Sequence, residues 1–436
     1  MLGRMLQNLA TNARKHGWLL GISLVTVISL FGLRYIWFNS RMWFDLENHD
    51  TRVLLQTIRG EEQPFKWFVS DWPLYNGFYR PLPALSFEID DRLYENNLQM
   101  YCFTNWWISL FCALGVVWLV YELFRKRNIA IAAGAIFAGW QTGLVDYLPL
   151  EWAGGLVALV ALLVGGFYGA GWKIGLVSAA LSLLAARELS NSLDVVDIVS
   201  MDLSYRAIGW PVGRTATMAT MFILPCVAAY CRWERGRKGK YAVLSIASLV
   251  LAMMCYEQVV VAPALLLGSA IALRVQGVSV RWFWHLIPWA ILGAYLFMHS
   301  QLLPKTRYQD QAYRGTGGGL RDVLLWLFPG SFELKFLPTF FSKDIGIYAI
   351  LITRFWRYLI QVVSCTVAYF SFKRYWLPIS YGILASTGAF LPMAFQQPLV
   401  HYNHLPMAFR TPFVVYLVVL AFDNLREAFT KRQSAS

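Results

Sequence analysis

Residues 241–273 read YAVLSIASLVLAMMCYEQVVVAPALLLGSAIAL, and Glu257 is the one charged residue among them. A single helix through this stretch would hold a carboxylate at mid-bilayer, which costs about 3 kcal/mol or more. Two helices, 241–256 and 258–273, joined as a hairpin with Glu257 at its tip, avoid that cost. A bilayer core takes about 20 apolar residues per helix, fewer where a helix is broken. The same scan run outward adds 17–38, 102–123, 129–145, 152–170, 174–187, 214–231, 283–299, 346–370, 376–394 and 405–422. The expectation is an all-α polytopic membrane protein with about twelve transmembrane helices.

Composition agrees with that reading. Of 436 residues, 57% are hydrophobic and 14% charged, with mean hydropathy +0.47. Soluble domains carry about 25% charged residues. A soluble enzyme, a disordered chain and a disulfide-stapled domain are therefore excluded. The six cysteines lie in or beside apolar runs with no C-x-x-C pair, so neither a zinc site nor a disulfide framework is indicated.

The net charge of +13 concerns topology rather than nucleic acid. With the N-terminus inside, segments 1–16, 125–127, 173, 232–240, 274–281, 373–374 and 423–436 hold 19 basic and 3 acidic residues. The opposite loops, 39–101, 146–151, 187–214, 257 and 300–345, hold 15 basic and 21 acidic. That asymmetry is the positive-inside pattern, with both termini cytoplasmic. The basic N-terminus and its long apolar run read as an uncleaved first helix. The absence of N-x-S/T sequons from the exterior loops favours a bacterial inner membrane.

The whole chain, 1–436, reads as a single membrane domain with no separate soluble domain. Its non-membrane mass is exterior: a large first loop with short interfacial helices (39–101), a second segment (187–213) and a third loop (300–345). Cytoplasmic connections are too short for a nucleotide-binding domain, and no G-x-x-x-x-G-K-[ST] occurs, which argues against an ATP-driven pump.

The first loop opens Trp43-Phe44-Asp45-Leu46-Glu47-Asn48-His49-Asp50. Three carboxylates beside a membrane surface form either a solvated acidic patch or a base able to deprotonate an acceptor hydroxyl. Further on, Phe78-Tyr79-Arg80-Pro81-Leu82-Pro83 reads as an extended segment held by two prolines. It places Arg80 near the headgroup plane, as a loop anchor or as a bidentate partner of a lipid phosphate.

These blocks resemble the first-loop signature of GT-C glycosyltransferases, in particular the protein O-mannosyltransferase family that often carries tetratricopeptide repeats. The resemblance rests on Tyr79-Arg80-Pro81-Leu82, Ser86-Phe87 and Tyr101-Cys102-Phe103-Thr104-Asn105. Trp210-Pro211-Val212-Gly213-Arg214-Thr215 is similar to the family's W-x-x-G-R-T block. Cys255-Tyr256-Glu257 and the segment to Pro263 resemble its S-K-E block, and His401-Tyr402-Asn403-His404-Leu405-Pro406 its R-Y-x-Y-L-P. Tyr256 and His401 stand where the family has lysine and arginine, the repeats do not occur here, and residues 143–188 read as additional helices.

The resemblance implies a polyprenyl-phosphate sugar as donor, an exterior glycan, lipid or protein as acceptor, and a first-loop carboxylate as base. Asp50 is favoured, then Asp45 and Glu47. The phosphate leaves without needing a proton, so transfer is an inverting single displacement with cations on the developing charge. Arg354 and Arg357, three apart in an apolar run, either hold helices together or bind the donor phosphate, as could Arg80, Arg410, His401 and His404. With no third ligand near the two histidines, no metal or other cofactor is expected. Glu257 reads first as a hairpin-tip residue. The glycine run 315–319 reads as a mobile loop, and 320–328 as a surface segment. The competing class is a transporter or flippase of a lipid-linked saccharide, whose ionisable groups should line a central path. A catalytically silent scaffold is the third reading.

Overall fold

The computed structural model describes residues 17–33, 49–63, 65–143, 205–303, 319–327, 375–394, 400–416, 419 and 423. The described residues are helical, with no strand among them. Three stretches are long and apolar enough to cross a membrane, Gln99–Phe124, Pro211–Gly236 and Glu257–Val275, which marks an α-helical membrane protein. The spans expected at 152–170, 174–187 and 346–370 lie outside the described residues. The chain divides into two compact units, Met1–Leu144 with Leu203–Pro304, and Val145–Asp202 with Lys305–Ser436.

In the first unit, α1 is Gly17–Leu33, α2 His49–Arg59, α3 Pro81–Tyr94, α4 Leu98–Phe124 and α5 Arg127–Thr142. They are followed by α6 (Arg214–Gly236), α7 (Gly239–Met253), α8 (Ala262–Val275) and α9 (Leu286–Leu302). The long helix α6 is central, packing on α4, α7 and α8, while α5 packs on the far side of α4. The α4–α5 approach is close because position 134 is glycine. A Cβ there would stand 3.0 Å from the Ala113 carbonyl and strike the Val117 side chain.

The hairpin around Glu257 breaks where the carboxylate interrupts the apolar run. Helix α7 stops at Met253, a 3-10 turn covers Glu257–Val261, and Pro263 stands at the start of α8. The break is longer than one residue, so both helices are shorter at the tip than hydropathy alone suggests. At the other end of α6, hydropathy stops at 231, yet the helix runs through Arg232 and Arg235 to Gly236. Their guanidiniums bond across to the end of α4, which keeps the charged last turn helical.

The prolines of 81–83 give a correction. They do not hold an extended segment; Pro81 is the first residue of α3, with Arg80 as its N-cap. Proline suits that position because its fixed φ is helical and its missing N–H would be unpaired anyway. Helix α2 lies against α3 through Leu54, Leu55 and Ile58, which join Trp67, Trp72, Phe87, Tyr101 and Trp106 in one apolar cluster. Arg59 bonds Asp91 at 2.6 Å across the same contact.

Two ends of this unit are chemically distinct. At one, the connections 125–127, 232–240 and 274–281 meet: Arg232 reaches Glu122 at 3.3 Å, and Glu234 accepts from Arg237 at 2.6 Å and from the Arg281 backbone at 3.3 Å. The first loop, the start of α6 and the Glu257 turn meet at the other.

In the second unit, α10 (Leu320–Leu327) is a short helix within the stretch read as a surface segment. Two further helices, α11 (375–390) and α12 (404–416), flank the block 400–403.

Candidate functional site

Two arginines organise the end of the first unit where the motif blocks meet. Arg80 directs its fork at Glu257: Nε donates to both carboxylate oxygens at 3.0 and 3.1 Å, and Nη2 donates to Oε2 at 2.6 Å. Three rings surround the guanidinium, with centroids 4.3 Å (Phe78), 4.6 Å (Tyr256) and 5.4 Å (Trp72) from Cζ. Both partners of the pair keep 11% of their side-chain surface exposed. Tyr256, which stands where the resembling family has lysine, thus contributes a π face to Arg80 instead of a second charge.

The loop below Arg80 is built by Asp71. Its carboxylate accepts from the Gly77 and Phe78 backbone N–H groups at 2.8 and 3.0 Å, while Trp72 N–H donates to the Phe78 carbonyl at 3.0 Å. Tyr75 (φ 50°) and Gly77 (φ 81°) make the reversal, so Trp72 and Phe78 both face Arg80. Burial pushes the Asp71 carboxyl above its usual range, against the opposing pull of those backbone bonds. Tyr79 donates to the Phe68 carbonyl at 3.1 Å, and burial pushes its phenol up as well.

Arg214 is fully buried at the first residue of α6. Its Nη2 donates to Asp90 at 2.5 Å and to the Tyr101 carbonyl at 3.0 Å; Nε donates to Asn105 at 2.7 Å and Nη1 to Ser86 at 3.2 Å. Asn105 in turn donates to the carbonyls of Ile208 and Trp210, each at 3.2 Å. Phe87 lies 4.3 Å beneath the guanidinium. This cluster pins α3, α4 and α6 together. With four of its five N–H groups already bonded inside the protein, Arg214 is a positioning residue rather than a ligand-binding one.

Tyr79, Arg80, Asn105, Trp210, Arg214 and Glu257, drawn from blocks far apart in sequence, are therefore brought to one end of one unit. Asp50 lies in the first turn of α2 and is exposed, one turn before the buried Leu54. Asp45, Glu47, Arg354 and Arg357 lie outside the described residues. In the second unit, Arg410 is buried, donating to the Trp326 carbonyl at 2.9 Å and lying 4.5 Å from the Phe413 ring. His401 and His404 are buried in the same unit, with His401 edge-on to Tyr402. Among the described residues no three His, Cys, Asp or Glu side chains gather as a metal-binding group.

Sequence reasoning passed over Asp71 and Asp90. The first accepts from backbone N–H groups six and seven residues on, beyond the two-residue reach of a local aspartate turn, so its spacing gave no signal. The second carried none either, because its ion-pair partner Arg214 is 124 residues away. No family model, curated protein or solved structure matches the chain.

Proposed function

We propose that the chain is a membrane glycosyltransferase of the GT-C kind, moving a hexose from a polyprenyl-phosphate donor to an acceptor on the exterior face. The observation that supports this reading is the convergence of blocks 79–82, 101–105, 210–215 and 255–257 through two arginine-centred clusters. In this reading the Arg214 cluster fixes the first loop on the helix ends, and Arg80 presents a caged cation beside it. The chain spans an inner membrane about twelve times, with both termini cytoplasmic and the first loop outside.

The acceptor hydroxyl oxygen attacks C1 of the sugar, the C1–O bond to phosphate breaks, and the configuration inverts. The electron pair leaves with the phosphate, which needs no proton. The acceptor proton passes to a first-loop carboxylate, Asp50 first, then Asp45 or Glu47. Arg80 stabilises the phosphate in this reading; Arg354, Arg357, His401, His404 and Arg410 are the alternative candidates for that role.

Asp50→Asn tests the base. Transfer should fall about 10²–10⁴-fold with donor binding and unfolding temperature unchanged, because Asp50 is exposed and only proton abstraction is lost. Full activity in Asp50→Asn with Asp45→Asn or Glu47→Gln inactive would move the base to that residue, and activity in the triple variant would refute a first-loop base.

A further inference from the structure

Helices α4 and α6 end in the same pattern. Glu122-Leu123-Phe124-Arg125-Lys126 closes α4, and Glu234-Arg235-Gly236-Arg237-Lys238 closes α6. In both, the glutamate is buried and the arginine three residues on sits in the left-handed region, at φ 56° for Arg125 and 54° for Arg237. Glycine is the usual residue there because it alone lacks the Cβ clash. Gly236 and Gly239 flank the α6 cap, yet the left-handed position itself holds arginine.

What the arginines do with that strained position is visible. Arg125 pairs with Glu122 at 2.5 Å and Arg237 with Glu234 at 2.6 Å, and each side chain still exposes about a third of its surface (32% and 33%). Arg232 also reaches Glu122, Arg235 donates to the Glu122 and Leu123 carbonyls at 3.0 Å, and Arg237 reaches the Ser279 carbonyl. Two buried carboxylates thus serve a rim of arginines, and exposed Lys238 and Lys240 add charge without adding an acid. The rim borders an apolar belt: Phe283 is 88% exposed, Leu286 67% and Val243 69%. Cations beside bare aliphatic and aromatic surface match the two halves of a lipid.

We propose that this rim is a binding site for the headgroup of an anionic phospholipid. Arg237, Arg281, Lys238 and Lys240 take the phosphate oxygens and the belt at Val243, Phe283 and Leu286 takes the acyl chains. The belt lies on α7 and around the start of α9, so a bilayer lipid meets the cations and the apolar surface together, whereas a soluble acidic partner meets the cations alone. The site lies at the opposite end of the unit from Arg80 and does not depend on the glycosyltransferase reading.

The test uses the full chain in nanodiscs of phosphatidylcholine, with and without one part in five of phosphatidylglycerol, reading retention of a fluorescent phosphatidylglycerol and the unfolding temperature. The wild type should prefer phosphatidylglycerol, and the preference should shrink as salt rises. Lys238→Gln with Lys240→Gln should cut it about fivefold per cation removed, equivalent to about 1 kcal/mol each, while stability in phosphatidylcholine alone is unchanged. Arg237→Gly removes the guanidinium but suits the left-handed backbone, so it should weaken retention too. An undiminished preference in the lysine variant, or none in the wild type, would overturn the proposal. So would Arg237→Gly losing stability with retention intact, the mark of a purely structural cap. If Arg237→Gly does not fold, the lysine variant decides. Equal stabilisation by soluble glycerol phosphate in detergent would overturn the lipid assignment in favour of a free phosphate.

Discussion

Arg214 and Arg80 are both arginines at the start of a helix, and their surroundings give them opposite work. Arg214 has no exposed surface and bonds only to protein, so its loss leaves the buried Asp90 without its counter-charge and with only the Thr104 hydroxyl bonded to it at 2.8 Å. Breaking such a pair costs about 3–5 kcal/mol. Arg214→Ala should therefore abolish recovery of folded protein in detergent, and Arg214→Lys should fold with a lowered unfolding temperature because it loses the planar fork. A wild-type unfolding temperature in Arg214→Ala would contradict the positioning role. Asp71 is the second test at this scale. Burial makes its carboxyl a weaker acid in the folded protein, so the native protein binds this proton more readily than the unfolded chain does. Its contribution to stability therefore improves as pH falls from neutral through the raised value toward the ordinary carboxylate range. The unfolding temperature of the wild type should rise relative to Asp71→Asn over that interval; a constant difference would show that Asp71 does not titrate there. Of these residues the sequence disclosed identities but not partners. Arg214 stood out beside a tryptophan and a glycine, whereas Asp90, one of two adjacent acids in 81–94, acquires its role only by tertiary contact.

The elements were more legible than the residues. The break in 241–273 follows from one carboxylate in an apolar run, and α7 and α8 separate there. Composition also marked the charged helix ends, though not that Arg232 and Arg235 would extend α6 by bonding across to α4. The proline pair is ambiguous in sequence, since Pro81 fits both an extended segment and the first helical position. What decided between them was α3's buried face, Ala84, Phe87 and Glu88, on the cluster below. Close helix approach gives the prediction at this scale. Gly134→Val would drive two methyl groups toward Ala113 and Val117 on α4. Overpacking of this kind costs about 1–3 kcal/mol, so the unfolding temperature should drop, and Gly134→Ala should show a smaller drop. Equal stability of Gly134→Val and wild type would mean that α4 and α5 do not touch there.

For the whole molecule, low charge and high hydropathy announced a helical membrane protein, and three membrane-length helices agree. The proposed transferase activity rests on resemblance plus the meeting of Arg80, Asn105, Arg214 and Glu257 at one end. That meeting could not be read from spacing, because hydropathy places helices in order without saying which ends touch. The reading also separates sharply from transport. A transferase releases polyprenyl phosphate and leaves the sugar on a new oxygen, whereas a flippase returns the donor intact on the other side. The direct measurement is to reconstitute the purified chain in proteoliposomes with a radiolabelled polyprenyl-phosphate hexose and a crude envelope acceptor fraction, then follow both the label and the lipid. The account predicts label on the acceptor with inverted anomeric configuration, matched by free polyprenyl phosphate and absent without the protein. Intact donor moved to the opposite leaflet with no acceptor labelled would contradict it.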